Sequence, residues 1–201
     1  MIRVLEVTNL TRSGLSPVSF TLSAGEIIAI QGPSGAGKSL LLRALADLDP
    51  NEGQLCLNAI PRASLSGPDW RRRVGYVPAE PGWWADRVGD HFDDFSKIVP
   101  WATRLGLAET AAEWPVSRAS TGEKARLALL RALAIKPLVL LLDEPTAALD
   151  PQSTLAVETL LAEQLADGMA MIWVTHNESQ ARRVSKRWLR MEAGMLTEPL
   201  L

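Results

Sequence analysis

One eight-residue stretch constrains this chain more than any other: GPSGAGKS, at residues 32–39. It follows the apolar run IIAIQ at 27–31 and precedes a helical pattern at 39–48, so we predict a strand, a loop and a helix in succession. Glycines let backbone N–H groups turn toward phosphate oxygens, and the helix N-terminus adds partial positive charge. The stretch therefore predicts a phosphate loop that binds a nucleoside triphosphate.

The predicted nucleotide contacts are residues 32–40. Lys38 would reach the β- and γ-phosphates, and Ser39 would hold Mg²⁺ through its hydroxyl. A glycine-rich turn that matches by chance is the alternative, and the flanking strand and helix argue against it. The full set is Gly32, Pro33, Ser34, Gly35, Ala36, Gly37, Lys38, Ser39 and Leu40.

A second motif, LVLLLDEP at 138–145, predicts a buried strand that ends in two acids. In a phosphate-loop ATPase the first acid, here Asp143, binds in the Mg²⁺ shell, through water. The second, Glu144, can polarise the attacking water as a catalytic base. The bland alternative is a strand end capped by two solvated acids, which becomes weaker once Lys38 is considered with them.

The stretch RASTGEKARLALLRAL, at 118–133, allows two interpretations. Ser120 and Glu123 form the S-x-x-E capping box of an amphipathic helix. A serine-capped helix start that contains glycine is also an anion site, able to meet a γ-phosphate. From the residues alone, the structural interpretation is favoured.

The composition excludes several classes of protein. The net charge of −2 gives no basic surface for bulk nucleic-acid binding, so we expect no nucleic-acid partner. Cys56 is the single cysteine, which rules out an intrachain disulfide and favours a reducing compartment. The longest apolar run, at 138–142, is too short to span a membrane, so any membrane role would need a partner.

The predicted fold class is α/β. Continuous apolar runs at 27–31, 138–143 and 171–175 are typical of strands buried on both faces of a parallel sheet. Alternating stretches near 2–7 and 18–23 predict an antiparallel β subdomain at the N-terminus. Residues 82–135 carry no convincing strand and are expected to form a helical lobe. We thus predict one domain over 1–201, with the α/β core and β subdomain at 1–81 and 136–201.

The order of the motifs identifies a family resemblance. Ser120, Thr121, Gly122 and Glu123 precede the Asp143 strand, TAALD follows it at 146–150, and His176 closes MIWVTH at 171–176. Over essentially the whole chain this order and spacing resemble the ATP-binding cassette (ABC) ATPases.

The resemblance implies a phosphate-loop ATPase that binds ATP with Mg²⁺ and forms a head-to-tail homodimer around two ATP molecules. Ser120 and Gly122, within the signature at 120–123, would touch the γ-phosphate bound by the other subunit. Asp150 would lie in the dimer-contact loop. His176 would be the switch residue near the γ-phosphate.

The same resemblance implies a biological setting. The chain would be the ATP-hydrolysing subunit of a transporter, cytoplasmic and held at the inner face of the membrane by a separate membrane subunit. The stretches ADLDPNEGQL and WVTHNESQA look similar to bacterial two-component exporters linked to iron. The alternatives are a soluble ABC ATPase not coupled to transport, a regulatory cassette with weak hydrolysis, and a small-molecule kinase.

Three departures from the family pattern stand out. Ala79 occupies the position of a glutamine that reaches Mg²⁺ and the attacking water, and a methyl group can do neither. Thr121 replaces a glycine of the signature, and residues 11–14 offer no aromatic side chain for adenine. Trp83 and Trp84 follow the Ala79 strand, either as core packing or as anchors for the membrane subunit.

Overall fold

The computed structural model describes residues 3–198 of the chain, and the strands within that range form two sheets. Their bounds are β1 (Arg3–Arg12), β2 (Leu15–Ser23), β3 (Ile27–Gln31), β4 (Glu52–Leu57), β5 (Ile60–Pro61), β6 (Val74–Val77), β7 (Val139–Asp143), β8 (Ala170–Val174), β9 (Arg187–Glu192) and β10 (Met195–Thr197). The smaller sheet has the order β2-β1-β4-β5 and is antiparallel throughout. The predicted N-terminal antiparallel sheet is confirmed.

The larger sheet has the order β10-β9-β3-β8-β7-β6. Every neighbouring pair is parallel except β10 with β9. Residues of β7 and β8 are buried along their whole length, as the continuous apolar runs predict. Because carboxyl ends of parallel strands meet at one edge, the loops that follow β3, β6, β7 and β8 converge there.

The α-helices are α1 (Lys38–Leu45), α2 (Gly67–Arg73), α3 (Val99–Arg104), α4 (Thr121–Ala134), α5 (Pro151–Ala166) and α6 (Glu178–Val184). Helix α1 ends earlier than the predicted 39–48, because Asp47 adopts a φ of 56° in the left-handed region. None of the helices in the described part of the chain has both the length and the apolar character to cross a membrane.

Residues 82–135 contain α3, α4 and a series of short 3-10 turns, with one isolated bridge between Arg87 and Pro115. Helix α4 does not stand apart from the sheet, since its Leu130 shares an apolar cluster with Leu140 of β7 and Trp173 of β8. The 3-10 turns add Val88 and Ile98 to the same cluster. The division into a core and a lobe at these boundaries stays a prediction.

Candidate nucleotide-binding site

The loop after β3 is built around backbone geometry that only glycine tolerates. A Cβ on Gly32, whose φ is 152°, would lie 2.1 Å from the carbonyl oxygen of Met191 in β9. Gly37, with a φ of 105°, forms the N-cap of α1 without a side-chain cap. The first-turn N–H groups of α1 thus point into the loop with no side chain covering them, which suits an anion.

Lys38 follows this loop as the first residue of α1 and is 6% exposed. Its Nζ donates to the carbonyl oxygens of Gly32 and Pro33, each at 2.8 Å. Burial lowers the pKa of Lys38, and the negative charges of Glu144 and Asp143 offset only part of that effect. A phosphate would relieve the cost of burying this ammonium group, because it would supply a charged acceptor.

Asp143 closes β7 and is buried. Its Oδ2 accepts a hydrogen bond of 3.2 Å from the hydroxyl of Tyr76, on the neighbouring strand β6. Burial raises the pKa of Tyr76, and the charge of Asp143 raises it further, so the phenol stays protonated. Tyr76 therefore fixes the orientation of the carboxylate. We did not predict this contact from the sequence, since it depends on the pairing of β6 with β7.

Glu144 and His176 lie side by side at the ends of adjacent strands. The Oε1 of Glu144 is 2.8 Å from Nε2 of His176, and the backbone N–H of Glu144 donates to Val174 at 3.1 Å. Glu144 has a φ of 50°, in the left-handed region. Such a conformation costs on the order of 1–3 kcal/mol and persists only where its surroundings impose it, as at active sites.

Lys38, Glu144 and His176 line one cleft of about 240 Å³. It contains the loop lysine, the acid after β7 and the histidine after β8, which the sequence predicted as parts of one site. The lining residues are Ser34, Gly35, Gly37, Lys38, Ser39, Leu40, Glu144 and His176. Of the other predicted loop residues, Gly32 and Pro33 accept from Lys38, and Ala36 is buried.

The stretch from Ser120 to Glu123 lies outside this cleft. It forms the predicted capping box: Glu123 N–H donates to Ser120 Oγ at 3.3 Å, and Ser120 N–H donates to Glu123 Oε2 at 2.8 Å. Hydrogen bonds from Ser120 lower the pKa of Glu123, so its carboxylate is charged. Ser120 and Thr121 are exposed. The capping interpretation is confirmed, and residues 120–123 do not line the cleft around Lys38.

Asp150 is exposed and caps α5, where its Oδ1 accepts from the Ser153 N–H at 2.9 Å. Hydrogen bonds from Ser153 lower the pKa of Asp150. The loop before it packs on the start of α4, since a Cβ on Gly122 would lie 3.2 Å from the carbonyl oxygen of Ala148. The predicted signature and dimer loop thus form one continuous surface of the chain.

The donor set near Lys38 also bears on a metal ion. Across residues 3–198 the structure contains no cluster of three or more His, Cys, Asp or Glu side chains with the geometry to hold one. The Ser39 hydroxyl and the Asp143 carboxylate are oxygen donors, which suits Mg²⁺, an ion that takes its remaining ligands from phosphates and water.

Residues 15–147 match the protein family described as ABC transporter. The chain belongs to the ABC transporter family. It is similar to the phosphate import ATP-binding protein PstB of Aeropyrum pernix, with 35% identity over 92% of this chain and 83% of that protein. It is also similar to the aliphatic sulfonates import ATP-binding protein SsuB 3 of Pseudomonas savastanoi pv. phaseolicola, with 37% identity over 95% of this chain and 72% of that protein.

Solved ABC structures share the fold. One, described as an ATP-binding subunit of an ABC transporter, superposes with a TM-score of 0.86 at 24% identity and covers 97% of this chain and 90% of that one. Another, a bacterial Atm1-family ABC exporter with ATP bound, gives 0.82 at 26% identity over 98% of this chain and 38% of that one. The predicted fold class and the resemblance to the ABC ATPases are confirmed. The chain is an ABC ATPase.

In this ABC ATPase, the segment after β6 carries Ala79 where the family pattern has a glutamine. Ala79 and Glu80 are exposed, and neither lines the cleft around Lys38. Pro78 instead lines a groove of about 380 Å³ with Leu48, Trp84 and Ile135. Trp83 is partly buried in the apolar cluster, whereas Trp84 is 70% exposed, so core packing is correct for Trp83 and wrong for Trp84.

Proposed function

We propose that this chain hydrolyses ATP as a homodimer and thereby drives a separate membrane subunit of a transporter. The observation that carries the proposal is the 2.8 Å contact between Glu144 and His176 at the rim of the cleft that holds Lys38. It supplies an acid and an orienting histidine beside a phosphate site, which is what hydrolysis of a phosphoanhydride requires.

In this mechanism residues 32–40 cradle the phosphates, and Lys38 shifts from its loop carbonyls to the β- and γ-phosphates. Glu144 orients and polarises the attacking water, while His176 holds Glu144 and lies next to the γ-phosphate. A positioned base of this kind contributes about 10²- to 10⁴-fold in rate. Ser39 and, through water, Asp143 would hold Mg²⁺, whose charge would offset the negative charge that develops on the phosphates.

The second half of each site would come from the other subunit. Ser120, Thr121 and Asp150 are exposed and available for this, and the N-terminus of α4, once the Ser120–Glu123 capping contacts open, suits a γ-phosphate. The hydroxyl of Ser120 donates to Glu123 Oε2 at 2.8 Å in the single chain, so it would exchange this partner for the phosphate on dimerisation. Thr121 carries a side chain where the family pattern has glycine, so it would hinder close approach of the other subunit to this surface.

The groove beside β6 supports a membrane partner. Leu48, Trp84 and Ile135 are exposed large apolar side chains that line it together. An aromatic anchor in an apolar groove is typical of protein interfaces. We propose that this groove takes a segment of the membrane subunit, which would place the chain in the cytoplasm at the inner face of the membrane. The two relatives found by sequence, PstB and SsuB 3, are import proteins, which favours import, and the iron-linked exporter interpretation stays a prediction.

The nucleobase is expected to contribute little to specificity. Residues 11–14 supply no aromatic side chain, and the guanidinium of Arg12 forms an ion pair with Asp49. Aromatic stacking on a base is worth about 1–3 kcal/mol. Without it, binding rests mainly on the phosphates, which ATP and GTP share, so we expect similar affinities for the two nucleotides.

The decisive test compares wild type with Glu144→Gln in steady-state ATPase assays and in light scattering at saturating ATP and Mg²⁺. Hydrolysis is expected to fall about 10²- to 10⁴-fold in the variant. The variant is expected to accumulate as an ATP-bound dimer, whereas Glu113→Gln, on an exposed 3-10 turn, serves as the control and behaves as wild type. A Glu144→Gln chain that stays monomeric with bound ATP would contradict the proposal.

Ala79 favours a second candidate function, a regulatory cassette with weak hydrolysis. The absent amide removes a contact to the attacking water, and neither Ala79 nor Glu80 lines the cleft in its place. The same assay separates the two functions. A wild type that binds ATP and dimerises, yet hydrolyses no faster than Glu144→Gln, would establish the regulatory cassette.

A further inference from the structure

A buried polar network lies directly behind the Glu144–His176 contact. Its centre is Gln180 on α6, which is 4% exposed. Its Oε1 accepts from the Thr175 hydroxyl at 2.8 Å. Its Nε2 donates to the Thr146 hydroxyl at 2.9 Å and to Glu158 Oε1 at 2.8 Å. One amide thus contacts three separate segments of the chain.

Each of those segments carries part of the proposed site. Thr175 immediately precedes His176, and its hydroxyl also accepts from the Asn177 N–H at 3.1 Å, so the histidine is held on both sides. Thr146 lies two residues after Glu144, in the turn that leads to the dimer loop. Glu158 lies on α5, the helix that Asp150 caps.

The charges in the network fix which way the amide points. Burial alone would raise the pKa of Glu158, but hydrogen bonds from Arg183 and Gln180 outweigh it and lower the pKa, so Glu158 is ionised. Arg183 binds this carboxylate through two contacts, at 2.6 and 2.7 Å. An ionised carboxylate only accepts, so Nε2 of Gln180 must face Glu158, and Oε1 must face Thr175.

Glu144 and His176 need such support. His176 is exposed, and the polar partner of its side chain within the described residues is Glu144, which itself adopts a left-handed backbone conformation. Strained conformations at sites are maintained by surrounding structure rather than by the strained residue. Gln180 is the side chain that joins the loops on which these two residues lie.

We propose that Gln180 is a positioning residue for ATP hydrolysis, holding the His176 loop, the turn after Glu144 and helix α5 in one arrangement. This inference rests on the proposed function. Through α5 it would also connect the dimer surface at Asp150 to the Glu144–His176 pair. Catalysis is sensitive to such alignment, since a displacement of about 1 Å can cost 10²-fold in rate.

The first test replaces the amide by an apolar side chain of similar length, Gln180→Met. We expect kcat to fall about 10- to 100-fold and KM for ATP to stay within about twofold, because the phosphate loop is untouched. The control is Glu163→Gln on helix α5, the helix that carries Glu158. It breaks the ion pair between Glu163 and Arg104, at 2.6 Å, which lies away from the network. It is expected to leave kcat unchanged.

A second measurement does not depend on activity. The chain has two histidines, His91 and His176, so the imidazole NMR signals of the nucleotide-free protein can be assigned directly. Gln180→Met is expected to shift the His176 signals and to leave those of His91, held by its own contacts to Trp84 N–H and Arg87 C=O, in place. Thr175→Val, which removes a single hydroxyl, is the milder variant if Gln180→Met does not fold.

A rescue experiment separates positioning from general stability. Gln180→Glu alone places a second carboxylate beside Glu158, and combining it with Glu158→Gln restores one donor and one acceptor. We expect the double variant to recover most of the kcat that Gln180→Glu loses. Unchanged kcat and unchanged His176 signals in Gln180→Met would overturn the inference. If wild type does not hydrolyse ATP, the proposed function fails, and the His176 signals still decide whether Gln180 positions the loop.

Discussion

The two halves of the proposed ATP site differ in what a single chain provides. Lys38, Ser39, Glu144 and His176 line one cleft, because parallel strands deliver their loops to a common edge. The signature residues 120–123 lie elsewhere, on an exposed helix start whose polar groups bond to one another. In the proposed mechanism the first half lies within one chain, and the second is a surface that would act on the ATP bound by another copy.

This difference helps to distinguish motifs that stabilise the fold from motifs that bind a ligand. The capping box at 120–123 stabilises α4, whereas burial of the Lys38 ammonium group in the phosphate loop costs free energy when no ligand is bound. A motif that costs stability indicates a ligand more directly than a motif that adds stability does.

The largest expected effect comes from mixing two inactive chains. Lys38→Ala removes the phosphate contact and Ser120→Arg blocks the signature surface, so each variant alone should lose about 100-fold or more in ATPase rate. In a mixed dimer, one site combines the intact loop of one chain with the intact signature of the other. Random mixing should therefore restore roughly a quarter of the wild-type rate.

The mixture is measured by steady-state ATPase assays after the two chains are combined at equal concentrations, with thermal unfolding of each variant as the control for Ser120→Arg. A mixture as inactive as its components would show that the signature surface of one chain does not complete the ATP site of another.

The second prediction concerns the contacts that hold the phosphate-loop helix to the antiparallel sheet. Asp49, just beyond α1, accepts from Arg43 at 2.7 Å and pairs with Arg12 of β1. Hydrogen bonds from Arg43 and then Arg12 lower the pKa of Asp49 to about 2, against the opposing effect of burial. We expect Asp49→Asn to reduce the free energy of unfolding by about 1 kcal/mol at neutral pH, because solvent screens this partly exposed cluster.

The sign of the pH dependence follows from that depressed pKa. Ionised Asp49 stabilises the fold above its unfolded-state pKa of about 4, and the contribution is lost as the pH falls toward about 2. Urea unfolding at a series of pH values should show the difference between wild type and Asp49→Asn shrinking below about pH 4. A stability difference between wild type and Asp49→Asn that does not change with pH would assign the effect to packing. The control is Asp167→Asn, at an exposed position.

A smaller effect is expected for Tyr76→Phe, which removes the hydroxyl that orients Asp143. The Mg²⁺ concentration for half-maximal hydrolysis should rise about 5- to 10-fold, since outer-shell hydrogen bonds tune metal affinity. ATP binding measured in EDTA should not change, which separates an effect on the ion from one on the loop. An unaltered Mg²⁺ dependence would remove Asp143 from the proposed metal shell.

The smallest expected effect is that of Glu80→Ala. Glu80 is exposed and does not line the cleft, so hydrolysis should stay within about twofold of wild type, as for most surface substitutions. We expect water to take the place of the missing amide at Ala79. ATPase assays that find Glu80→Ala inactive and Ala79→Gln no faster than wild type would show that Glu80 acts there instead.

Much of the fold could be predicted from local signals. The runs at 27–31, 138–143 and 171–175 became β3, β7 and β8 with bounds shifted by no more than one residue, because continuous apolar runs leave few alternatives to a buried strand. Ser120 fixed the start of α4 through its cap. The end of α1 was misplaced because the left-handed turn at Asp47 carries no glycine signal.

The sequence alone also determined the phosphate loop, the two acids at the end of β7 and the histidine after β8, since their chemistry lies in residue types at short spacing. The tertiary structure decided what lies around those residues: Glu144 contacts His176, Tyr76 donates to Asp143, and Gln180 joins two loops to helix α5. Such contacts join residues as much as 67 positions apart, as between Tyr76 and Asp143. They depend on strand order and register, which are set by the packing of the whole core rather than by any local pattern.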